Sequence, residues 1–152
     1  MLSSRARTLL ALILLSAVSA SAGQSAQATH KDDIMTGGLL NGVGWRGLDA
    51  VQRSMYLRGI IDMSTFLSWA AGKPSDVVQM HWDCKCNLFD MASGVEAIYA
   101  RDASYRRVPV QLVLTAFLSK AVGKINEVQL AEVMSKNIDI SGALADAEAS
   151  SR

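Results

Sequence analysis

Of the 152 residues only two are cysteine, two histidine and two proline, and the basic and acidic side chains nearly cancel at 15 against 14. Each shortage excludes something. Two cysteines cannot build the multi-bridge framework of a small disulfide scaffold, and a chain this long can bury a core without one. The balanced charge offers no strongly basic face for nucleic acid and no attraction to an anionic membrane surface. The longest apolar run, Leu9 to Val18 broken only by Ser16, is about ten residues, half of what a membrane-spanning helix needs. No Ser/His/Asp or Cys/His arrangement and no phosphate-cradling loop stands out. The Gly37-Gly38 to Gly42-x-Gly44 stretch lacks a preceding strand and a Lys-Ser/Thr ending, so it reads as a flexible lead-in to the first helix.

What the chain does have at its start is Arg5 and Arg7, then the apolar run, then Ala20-Ser21-Ala22, the three parts of a secretory signal peptide. Residues 1–22 are therefore expected to be removed and the product to reach the periplasm or the medium. Loss of Arg5 and Arg7 leaves 13 basic against 14 acidic residues. A second small-x-small site, Ala26-Gln27-Ala28, leaves the mature start open between Gly23 and Thr29. No cysteine lies near either site to carry a lipid anchor. Residues 23–34 are small and polar and 141–152 are Ala/Ser-rich, so both are expected to stay disordered, leaving one folded domain over 35–140.

Within that domain the apolar spacing is helical. Leu48, Val51, Met55, Leu57, Ile60, Ile61, Phe66, Leu67 and Ala70 recur at three- and four-residue steps, which predicts one helix with a broad buried face. Gly59 inside it calls for close packing against another helix, and Gly72-Lys73-Pro74 stops it. Asn87 and Asp90 mark a second start, with Leu88, Met91, Val95, Ile98 and Tyr99 as its stripe. After the polar turn at 102–107, Pro109 suits the first position of a third helix carrying Leu112, Val113, Ala116, Phe117 and Ala121. Gly123 ends that helix. Asn126 and Gln129 then form a capping box for a fourth, burying Val128, Leu130 or Ala131, and Val133 or Met134. The segment 77–86 can hold an extra turn or a short extended piece. The fold expected is an all-α bundle of about four helices.

The blocks Trp45-x-x-Leu48, Tyr56-x-x-Gly59-x-x-Asp62, Val95-Glu96-Ala97-Ile98-Tyr99 and Tyr105-Arg106-Arg107-Val108-Pro109-Val110 resemble a group of small exported bacterial helical proteins of unassigned function. More distantly they resemble the periplasmic immunity proteins that protect against type VI secretion amidase effectors. The resemblance runs from about Gly37 to Met134. It implies a helical fold and a protein partner; Ser54 and Met55 stand where the immunity family carries a cysteine.

The only cluster of metal-type ligands is His81-Trp82-Asp83-Cys84-Lys85-Cys86. Two thiolates, an imidazole and a carboxylate suit copper or zinc. An oxidising compartment favours instead a Cys84/Cys86 disulfide, within one chain or between two. Asp62 and Glu96 could form an acid pair of glycosidase type, which would make a small cell-wall hydrolase, or each could pair with an arginine such as Arg58, Arg106 or Arg107. Among the tryptophans, Trp45 suits a staple ahead of the first helix, Trp69 the core, and Trp82 the surface. Trp82 and Arg106 are the candidates for contact with a partner.

Together these features lead to an exported helical protein, not an enzyme and without a cofactor, whose work is binding another protein or a second copy of itself. The immunity-like role is its concrete form. Metal binding through His81, Asp83, Cys84 and Cys86 is the first alternative and the hydrolase the second.

Overall fold

A computed structural model describes residues 35–36 and 39–150; the expected leader, both cleavage sites and His30 lie outside the described residues. Short-range capping delimits the helices. The Asn41 side chain accepts from the N–H groups of Val43 and Gly44 to start α1 (Gly42–Arg46). Asp49 and Gln52 cap each other's backbone at the start of α2 (Ala50–Ala70). At its end Gly72 takes φ +69°, and Lys73 N–H returns to Ser68 O at 3.1 Å, a Schellman closure that glycine adopts without steric penalty. Ser75 caps α3 (Asp76–Cys84), and Asn87 with Asp90 forms the box that opens α4 (Leu88–Tyr99). A 3-10 turn, Ala103–Arg107, leads through Pro109 into α5 (Val110–Ala121). Asn126 and Gln129 bond reciprocally ahead of α6 (Glu127–Ser150).

The chain is all-α, with six α-helices among the described residues. Helix α5 is central, with α4, α3 and α6 packed around it, while α2 lies outside on α4 and α3. The core joins Trp45, Leu57, Met91, Val95, Leu114, Leu118, Leu130 and Met134. Burying each such side chain contributes about 1.5–3 kcal/mol before the entropy of ordering is subtracted. Tyr99 donates its hydroxyl to Val108 O at 2.8 Å and covers Gly42 with its ring.

Several expectations need correction. Short strands flank the start of the lead-in to the first helix: β1 (Met35–Thr36) pairs antiparallel with β2 (Leu39–Leu40), and Thr36 Oγ1 donates to Arg107 O at 2.7 Å. Trp45 is not a staple outside the helices but a fully buried residue of α1. Residues 141–150, expected as a loose tail, continue α6, with Ser141 buried and bonded back to Asn137 O. Segment 77–86 is mostly the helix α3. Val128 is exposed, leaving Leu130 and Met134 as the buried residues of the α6 start.

The largest departure concerns α2. Leu57 and Ile61 are buried as expected, but Val51, Met55, Phe66, Leu67 and Trp69 face solvent, Trp69 with 79 % of its surface exposed. Nothing lies within 4 Å of a β-carbon placed on Gly59. No other helix among the described residues packs there. The close helix packing expected of Gly59 is found instead at Gly94, against Phe117.

Candidate interaction surface

Helix α2 carries apolar side chains on every side because it serves one face to the core and leaves the other uncovered. The core face runs through Leu57, Ile61 and Ser68. Ser68 binds α2 to the next segment, donating to Ser64 O and accepting from Ser75 N–H. The outer face exposes Val51, Met55, Met63, Phe66, Leu67 and Trp69. Six bulky apolar side chains on one helix are more than the scattered single exposures that a monomer's surface ordinarily shows.

A depression flanks each side of this face. One, of about 510 Å³, is lined by Met55, Tyr56, Gly59, Ile60, Met63 and Gln111. Its inner wall is fixed by Gln111 Nε2 donating to Tyr56 Oη at 3.1 Å. Burial pushes the Tyr56 hydroxyl above its ordinary titration range, although the Gln111 bond pulls the other way. The second, of about 480 Å³, lies between α2, α3 and the start of α4, bounded by Arg58, Asp62, His81, Cys86, Leu88 and Phe89. Phe89 is exposed at its rim, and the buried His81 Nδ1 has no hydrogen-bond partner.

The sequence candidates separate on this scaffold. Cys84 and Cys86 lie as a close pair, with Lys85 between them in the left-handed region at φ 55°. Asp83 accepts from Gln79 Nε2 at 3.0 Å. No group of three or more His, Cys, Asp or Glu among the described residues is placed to hold one ion, so the structure does not bring the proposed ligand set together. Asp62 and Glu96 do not form a buried acid pair. Asp62 is exposed and meets Arg58 one turn back at 3.5 Å. Glu96 accepts from Trp45 Nε1 at 3.0 Å and pairs with Arg53 at 3.3 Å. Arg53 in turn stacks 5.4 Å from the Trp45 ring, so this carboxylate joins α1, α2 and α4. Trp82 is exposed on α3 as expected, whereas Arg106 is half-buried, its Nε without a partner, and its Cα packs on Gly42.

Sequence reasoning missed Met63, Trp69 and Phe89 as surface residues. The available signal was that α2 has more apolar residues than one buried stripe can hold. No helix among the described residues is long and apolar enough to cross a membrane. In comparisons with known proteins the chain matches no family model, no characterised protein and no solved structure.

Proposed function

We propose that this is an exported, non-catalytic protein that works by binding another protein through the outer face of α2 and the cleft beside it. The observation that supports this is the row of exposed apolar side chains on α2, extended by Phe89 at the rim of the neighbouring cleft. Leaving them in water is unfavourable by about 25 cal/mol per Å² of apolar surface relative to burial. Large side chains such as Trp and Met are enriched where protein partners meet. Arg58 and Asp62 supply charge of both signs within the same region, suited to a rim that selects one partner. The leader pattern supports a site of action in the periplasm or medium, and neutralisation of a secreted effector is the concrete form that the sequence resemblance suggests.

The test is affinity capture from the periplasm of the producing cell with the wild-type chain and with Phe66→Asp/Trp69→Asp. Both positions are exposed, so the double variant should fold. A specific protein retained by wild type and lost by the variant is expected. Equal capture by both, or no specific capture, contradicts the reading.

A further inference from the structure

Val51, Met55, Gly59, Met63 and Leu67 are spaced by four residues, and such residues form one continuous ridge on a helix. On α2 the whole ridge is uncovered: its four side chains are 56–69 % exposed, and Gly59 at its midpoint has open space above it. The averaged direction of Leu57 and Ile61 is about half a turn from that of Gly59, so Gly59 faces directly away from the core. A glycine in a helix interior is unfavourable by about 1 kcal/mol relative to alanine. Within the described chain nothing approaches Gly59 to make use of its missing side chain.

We infer that the ridge centred on Gly59 is the contact by which two copies of this chain pair antiparallel through α2. The ridge is close to self-complementary. With a reversed copy laid across it so that the two Gly59 residues come together, Met55 faces Met63 of the second copy on either side of the crossing point. Interdigitated ridges of this four-residue type cross at about −50°, with closest approach at one point; Gly59 is where that point needs the least bulk. Charge selects the direction. Arg58 and Asp62 lie on one flank of the ridge, and reversal sets Arg58 about 3 Å along the axis from Asp62 of the second copy. A parallel pairing places these charges on opposite edges, where they face apolar side chains. The polar segment Gly23–Asp33 has no bulky apolar side chain with which to cover the ridge in place of a second copy. This pairing rests on the reading of the α2 face as a protein-binding surface and names its occupant. A contact confined to one helix is small, so the dimer should be weak and concentration-dependent.

Sedimentation velocity of the exported chain across micromolar concentrations tests it. Wild type should show a monomer–dimer equilibrium. Gly59→Leu should weaken association by about tenfold or more, as expected for bulk placed at the centre of an interface, while the open space keeps the fold intact by circular dichroism. Arg58→Asp should weaken it too, and Arg58→Asp/Asp62→Arg should restore it. A wild-type monomer at all concentrations, or a dimer indifferent to these substitutions, overturns the proposal. A monomer whose Gly59→Leu variant loses a different captured protein also overturns it, yet leaves the wider binding function standing. Loss of both self-association and any captured protein from the wild type removes both.

Discussion

The ring of Phe117 on α5 lies directly over Gly94 on α4, where a β-carbon on Gly94 would overlap ring atoms. At Gly59 the same addition meets nothing. These two helix-interior glycines therefore respond oppositely to alanine. Gly94→Ala should destabilise by about 1–3 kcal/mol through overpacking, and Gly59→Ala should stabilise the monomer by about 0.5–1 kcal/mol. Urea midpoints measured at a concentration that keeps the chain monomeric check both signs.

Glu96 is expected to be structural. Glu96→Ala leaves the Trp45 indole N–H, otherwise fully buried, without its acceptor and should cost about 1–3 kcal/mol. Glu96→Gln keeps an acceptor in place and should recover much of that loss. Equal destabilisation by both substitutions would assign the effect to the Arg53 ion pair instead.

Burial, followed by the charges of Tyr56 and Glu96, raises the Tyr99 pKa well above its ordinary value of 10. A raised folded-state pKa means stability that is complete below pH 10 and falls as pH rises beyond it. Tyr99→Phe should lower stability at neutral pH by about 0.5–1.5 kcal/mol through loss of the bond to Val108 O, while flattening the alkaline decline. Chemical denaturation at neutral and alkaline pH checks both effects.

At the start of α6, Glu127 meets Arg101 and Lys120, and hydrogen bonds from these two side chains hold its carboxyl down to about 2. Its contribution is present above the ordinary carboxylate pKa and lost as pH falls from there through about 2. All three groups are substantially exposed, so the effect should be small and salt-sensitive. Glu127→Gln should reduce the acid dependence of the thermal midpoint in that window, but not abolish it. Asp102, held low by hydrogen bonds from Ser104, titrates there too.

What could be read from the sequence was what is encoded over three or four residues. The caps at Asn87/Asp90 and Asn126/Gln129 and the glycine stops at 72 and 123 all depend on neighbours within one turn. Which side of α2 would be buried was not legible, because Met55 and Leu67 look the same in sequence as Leu57 and Ile61. Only the placement of α3 and α4 decides between them. Trp69 was expected in the core for the same reason. The placement of the β1 strand depends on Thr36 reaching Arg107, 71 residues away, and the burial of Trp45 on Glu96, 51 residues away. Of the candidate surface, Trp82 was legible from its irregular segment. The apolar ridge was visible in sequence but read as core.

The measurement that tests the account most directly is site-specific photo-crosslinking in the producing cell, with the reactive side chain at position 63 on the α2 ridge. Exposed position 128 on α6 serves as control. A discrete protein adduct from position 63, absent from position 128, is predicted, and an adduct to the chain itself should map to the segment around Met55. No adduct from position 63, or the same pattern from both positions, would contradict the claim that the outer face of α2 is where this protein meets its partner.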